Sequence, residues 1–167
     1  MSFYADNEFE KGFPFDIDEI IGRVIDCVLK TLDIDVKVSV NILITDNAGI
    51  RTYNRDYRDI DSETDVLSFP AVDYEAPGDL SIALSDKCSY FDPDTDELML
   101  GDVIINGDRV YSQADEFGHS YLREFAFLMT HSMLHLFGFD HIEKEDEEEM
   151  FPLQERIMET LGITRDN

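Results

Sequence analysis

A single domain that mixes α-helices with short β-strands is what this sequence predicts, and three observations predict it. Apolar residues recur at helical spacing through residues 17–32 and again through 120–137. Between those stretches, runs rich in β-branched residues alternate, the longest being Val-Lys-Val-Ser-Val-Asn-Ile-Leu-Ile-Thr at 36–45. The 167 residues, 43% of them hydrophobic and without linker or repeat, suffice to bury one core without staples.

Each element has its own signal. Residues 1–8 are acidic and lack the basic and apolar regions of a secretory signal, and no apolar run reaches membrane-spanning length. Ile17, Ile20, Ile21, Val24, Ile25, Val28 and Leu29 form the stripe of a first helix, followed by the strand at 36–45. Asp46 stands where an N-cap belongs and opens a helix over 47–57. A short strand at 65–69 is stopped by Pro70. The stretch 71–97 is turn-rich, with Pro77-Gly78 and Asp92-Pro93, and one further short strand is expected at 80–84. A strand at 98–106 is closed by Gly107, and a short helix covers 110–117. The helix at 120–137 is apolar around most of its circumference, which predicts burial. A last helix at 145–161 turns Met150, Leu153, Ile157 and Leu161 inward, with acids in its first turn to suit the helix dipole.

The charge balance restricts partners. Thirteen Lys plus Arg stand against thirty-eight Asp plus Glu, a net charge of −25, which argues against free binding to a polyanion. The acid concentrates at 143–149 and at Asp92, Asp94, Asp96 and Glu97, read as a solvated helix start and a solvated loop. Cys27 and Cys88 are far apart and outside any metal-ligand spacing, so a reducing, cytoplasmic setting is expected.

Three of the four histidines fall within residues 131–141, spaced His-x3-His-x2-Gly-x2-His. One histidine on an apolar helix is usually a core residue with a satisfied hydrogen bond. Here His131 and His135 share a helix face, Gly138 permits a sharp turn, and His141 follows it. Three imidazoles so arranged make a metal site, with zinc the default ion and a catalytic role if a fourth position stays open. Zinc peptidases place a glutamate base directly after the first histidine, and this chain has Ser132 there. The metal geometry is kept and the peptidase base is missing. Glu124, seven residues before His131, is either an acceptor for an imidazole N–H or a solvated first-turn acid. His119, just before the helix start, reads as a solvated or capping loop residue. Arg51, Arg55 and Arg58 form a basic stripe on the preceding helix, either a phosphate fork or a solvated face paired to Asp56 and Asp59.

The run 131–141 resembles the signature of the YbeY endoribonuclease (ribosomal RNA maturation factor) family. Asn54-Arg55-Asp56-Tyr57-Arg58 with Thr64-Asp65-Val66-Leu67-Ser68-Phe69-Pro70 resembles its central block, and Leu100-Gly101-Asp102-Val103-Ile104-Ile105 its next strand. Met150 with Glu155 is similar to its closing helix, so the likeness spans about residues 36–161. The resemblance implies one α+β domain over 1–167, with a small mixed sheet packed with helices and the metal site on a central helix. It implies one Zn2+ per chain, held by His131, His135 and His141. It also implies a single-strand-specific, metal-dependent endoribonuclease acting in ribosomal RNA maturation, at the 3′ end of the small-subunit RNA, and in ribosome quality control. The implied partners are single-stranded or ribosomal RNA and the ribosome or its proteins, with neither DNA nor membrane. Arg58 matches the family's functional arginine, and His131 a histidine important for activity as well as for the metal. Two departures stand out: Ser132 where glycine is usual, and a longer segment at 71–97. The acidity points to a substrate presented on a ribosome or by a protein. An assembly factor with a structural zinc and a hydrolase of another substrate stay open as alternatives.

Overall fold

The periodic stretch at 17–32 becomes helix α1, Ile17–Thr31, in a computed structural model that describes residues 1–164. The last three residues of the expected domain 1–167 lie outside the described residues. Asp16 caps α1 by accepting from the Glu19 N–H, and the stripe from Ile20 to Val28 is buried. The alternating run gives β2, Val38–Thr45, whose inward residues Val38, Val40, Ile42 and Ile44 are fully or almost fully buried. Asp46 then caps α2, Asn47–Arg58, accepting from the Gly49 N–H at 2.8 Å. Strands β3, Val66–Pro70, and β4, Leu98–Asn106, follow in turn.

A strand that the sequence reading lacked, β1 at Ser2–Asn7, completes a four-stranded sheet in the order β1-β2-β4-β3. β1 and β2 pair in parallel, as do β2 and β4, while β3 runs antiparallel to β4. The sheet is therefore mixed, as expected. β1 is an edge strand of few β-branched residues, with Tyr4 and Asp6 facing outward and only Phe3 and Ala5 partly buried, so it carries little pattern of its own. Gly101 in β4 sits at φ +130°, and a Cβ there would strike the Phe69 carbonyl.

The expected strand at 80–84 is instead a helical turn, α3 at Ser81–Ser85, followed by α4 at Lys87–Tyr90. Asp79 accepts from both the backbone and the hydroxyl of Ser81, which tightens the chain into a turn, and both edges of the sheet are formed elsewhere. α5, Gly107–Phe117, starts three residues earlier than expected because Asn106 caps it, accepting from the Asp108 N–H. α6, Tyr121–Leu136, and α7, Lys144–Leu161, close the chain. α1, α6 and α7 pack together over one face of the sheet and enclose the main core, with Phe125, Met129, Met133 and Phe137 at its centre. On the other face α2 lays Ile50 against Leu67 and Ile104 in a smaller cluster. One α+β domain results, with α6 central. Cys27 is buried, Cys88 is exposed, and both are free. Among the described residues no helix is long and apolar enough to cross a membrane.

Candidate metal centre

Helix α6 begins at Ser120, whose hydroxyl accepts from the Arg123 N–H, and is buried on most sides. His131 and His135 lie on its one partly open face. The helix ends in a Schellman turn: the Phe139 N–H donates to Leu134 O, and the Gly138 N–H to His135 O. Gly138 takes φ +92°, and a Cβ there would lie 2.9 Å from the Tyr74 ring, so both conformation and space call for glycine. That turn brings His141 back over the helix. One nitrogen from each of His131, His135 and His141 falls within 4.8 Å of the others, with ring centroids 4.5 to 5.3 Å apart.

The same turn orients the candidate ligand rings. The Phe139 carbonyl lies 2.8 Å from His135 Nδ1, and a carbonyl only accepts, so Nδ1 carries the proton and Nε2 presents a bare lone pair. Gln154 Oε1, reaching from α7, lies 3.0 Å from His131 Nδ1 and fixes that ring in the same sense. The two Nε2 atoms then face each other at 3.0 Å. Two bare lone pairs at that distance repel, and a cation between them converts the repulsion into two bonds. Burial, with His131 alongside, pushes the His135 imidazole down to about 4. Burial lowers His131 as well. Both rings are neutral near pH 7, the form a metal needs. The donor set, its tautomers and its charge state fit a divalent ion with imidazole preference.

The triad opens into a cleft of about 690 Å³ that Arg58, Tyr57, Asp65 and Asp140 also line. Of the three arginines on α2, only Arg58 reaches it. Arg51 bonds Asp61 at 2.8 Å and Arg55 bonds Asp56 at 3.1 Å, both as exposed pairs. The basic stripe thus divides into one cleft residue and two solvated ones. Ser132 is fully buried, so the position after the first histidine offers the cleft no base. Tyr74 packs on Gly138, and the Gly78 N–H donates to Phe137 O at 2.8 Å, so the long 71–97 segment buttresses the ligand turn.

Glu124 does not serve the triad. It is 3% exposed and accepts instead from His119 Nε2 at 2.7 Å and from Gln113 at 2.8 Å. His119, expected as a solvated or capping loop residue, has a side chain 6% exposed in that pair. A shared helix face placed Glu124 in line with His131, but seven residues is about 10 Å along the axis, too far for contact. The acceptors that do orient the His131 and His135 rings, Gln154 and the Phe139 carbonyl, escaped the sequence reading. A backbone carbonyl has no sequence signature, and Gln154 lies 23 residues beyond His131 on another helix.

The chain matches the family described as Endoribonuclease YbeY over residues 4–162. It is 48% identical to the Endoribonuclease YbeY of Agathobacter rectalis, an alignment covering 99% of this chain and 100% of that one. To the Endoribonuclease YbeY of Lachnoclostridium phytofermentans it is 41% identical, with the same coverage. Among solved structures, the solution structure of a Thermotoga maritima protein superposes with a TM-score of 0.57 at 21% identity, covering 95% of this chain and 88% of that one. At that identity the likeness is one of fold.

Proposed function

The chain belongs to the Endoribonuclease YbeY family, and on that premise we propose that it is a zinc-dependent endoribonuclease cutting single-stranded RNA during ribosomal RNA maturation, at the 3′ end of the small-subunit RNA, and in ribosome quality control. The observation that carries the reading is the meeting of three convergent imidazoles with Arg58 in one cleft. The domain is the whole chain, 1–167, and it works in the cytoplasm on RNA presented by the ribosome or its proteins, since a net charge of −25 disfavours capture of free RNA.

His131, His135 and His141 hold the ion, and His131 also serves the reaction. Zinc bound there would supply Lewis acidity, the property that lowers the pKa of water and polarises a phosphate. Arg58 binds the scissile phosphate through its planar fork and offsets the charge that grows on it. Gln154 and the Phe139 carbonyl keep the His131 and His135 rings turned towards the ion, so that no reorientation is needed when substrate arrives. Ser132, buried away from the cleft, leaves peptide hydrolysis without its base. Whether water or the ribose 2′-hydroxyl attacks, Arg58 and the triad occupy the same places.

The test is metal analysis of wild type and His135→Ala alongside cleavage of a single-stranded RNA. About one zinc per chain, lost together with cleavage in a folded mutant, is the expected result. Full zinc occupancy without cleavage, either alone or on ribosomes, overturns the nuclease reading in favour of an assembly factor.

A further inference from the structure

Tyr57 and Phe69 line two spaces at once: the metal cleft, and a groove of about 480 Å³ where α2 meets β1, β2 and β4. The two aromatic residues therefore form a ridge between them. The sides of the ridge differ in charge. The groove is lined by the carboxylates of Asp6, Glu8 and Asp102 and, among the described residues, by no lysine or arginine. On the cleft side stands Arg58, next to Tyr57 in the chain, with Asp65 and Asp140 as the acids of the cleft.

Tyr57 is 71% exposed, more than any other aromatic residue among those described, yet its ring has fixed neighbours. Tyr53, one turn earlier on α2, lies nearly parallel to it, with centroids 6.2 Å apart and planes at 10°. Phe69 of β3 meets it edge-on at 5.8 Å and 62°. Neither Tyr57 nor Phe69 takes part in the chemistry assigned to the triad and Arg58.

We propose that Tyr57 is a stacking platform for one base of the RNA strand, the base that adjoins the phosphate held by Arg58. The inference rests on the reading of the cleft as the site of RNA cleavage. Consecutive Cα atoms are about 3.8 Å apart, so Tyr57 and Arg58 can hold the base and the phosphate of one nucleotide or of two neighbours. A strand laid this way keeps its phosphates on the Arg58 side, because the carboxylates across the ridge repel them. A base carries no charge and lies over the ridge itself. A lysine or arginine of a protein partner suits the ridge less, since it would be set beside Arg58. Every base has a stacking face, so the platform takes any base and supplies affinity without further cations, which suits a chain so poor in them.

The chain has no tryptophan, so Tyr57→Trp puts a single indole reporter on the ridge. The probes are octa-uridylate, whose bases stack little on one another, and an octamer of the same ribose-phosphate backbone without bases. Both are mixed with the full chain at an ionic strength that screens its acidic surface, and binding is read on mixing, ahead of turnover. Octa-uridylate is expected to bind wild type about tenfold tighter than the baseless octamer. Tyr57→Ala is expected to bring the two within about twofold, and Tyr57→Phe to keep the difference. Octa-uridylate is expected to quench the emission of Tyr57→Trp, and the baseless octamer to leave it unchanged. Equal binding of the two octamers by wild type, a difference that survives Tyr57→Ala, or indole emission untouched by octa-uridylate would each overturn the platform. Octa-lysine quenching that emission in its place would overturn it too, and assign the ridge to a basic protein segment. In cleavage of single-stranded RNA, Tyr57→Ala is expected to raise KM about tenfold with kcat kept. Base-dependent binding without cleavage refutes the nuclease alone, and cleavage with KM unmoved by Tyr57→Ala refutes the platform alone.

Discussion

Gln154→Leu is the perturbation that best isolates how the ligand rings are held. Gln154 is 2% exposed, and its side-chain oxygen is the acceptor for His131 Nδ1–H at 3.0 Å. Leucine matches its volume but accepts nothing, so the Nδ1–H loses its partner in a site that is largely closed to water, at about 1–3 kcal/mol. The ring is then free to take the other tautomer or to rotate, either of which withdraws Nε2 from the ion. Loss of such an orienting acceptor lowers metal affinity by about 10- to 100-fold, which corresponds to about 1.4–2.8 kcal/mol. The two figures agree because the same hydrogen bond is lost in each. The assay is competition for zinc against a chromophoric chelator near neutral pH, with urea unfolding of the metal-free protein to check that the mutant folds. Gln154→Glu keeps an acceptor oxygen in place and is expected to bind zinc at least as tightly as wild type. A folded Gln154→Leu protein with unchanged zinc affinity would refute the assignment of Gln154 as the residue that orients His131.

Arg58→Ala should leave zinc content unchanged and stability within about 0.5 kcal/mol, because Arg58 is exposed. RNA cleavage should fall about 100-fold or more. Arg55→Ala, whose guanidinium pairs with Asp56 outside the cleft, should cleave like wild type, and equal losses from the two mutants would refute the division of the stripe. His135, pushed down to about 4 against an unfolded value near 6.5, ties stability to pH. Its contribution is complete above pH 6.5 and is lost as pH falls through 4, because the unfolded chain binds the proton more tightly. After allowance for solvent screening at this partly open site the loss is about 2 kcal/mol. Urea unfolding of metal-free wild type and His135→Gln across that window reads it as the difference between the two, and identical pH profiles would count against it. Gly138→Ala should cost about 1–2 kcal/mol from its positive φ, plus the displacement of Tyr74, and should weaken zinc binding as well. Gly118→Ala, also at positive φ but with nothing near its Cβ, should show only the first part in the same unfolding assay and leave zinc binding alone.

What could be read from the sequence was what short-range geometry fixes. The three candidate ligands lie within residues 131–141, two on one helical face and the third across a glycine turn, so spacing and backbone preference alone bring them together. The cap at Asp46 is likewise local, a side chain bonded to an N–H three residues on. The helical and alternating patterns of α1, α6 and β2 were legible because burial acts on every turn or every second residue of a long element. β1 was passed over and α3 was taken for a strand because the pairing or coiling of each depends on what stands beside it rather than on its own pattern.

Tertiary structure decided everything that depends on a distant neighbour. Arg51 and Arg58 are alike in sequence, and their places part because Arg51 pairs with Asp61, ten residues on, while Arg58 at the end of α2 lines the cleft that holds the triad. Glu124 shares a helix face with His131, yet it pairs with His119 and Gln113, because the packing of α5 on α6 brings those groups to it first. Gln154 orients His131 only because α7 folds back over α6, a contact 23 residues away along the chain. Periodicity and capping act over one or two helical turns, so they carry no record of such contacts. The candidate ligands were therefore written in one stretch of sequence, whereas the groups that orient their rings and the arginine that shares their cleft were chosen by packing.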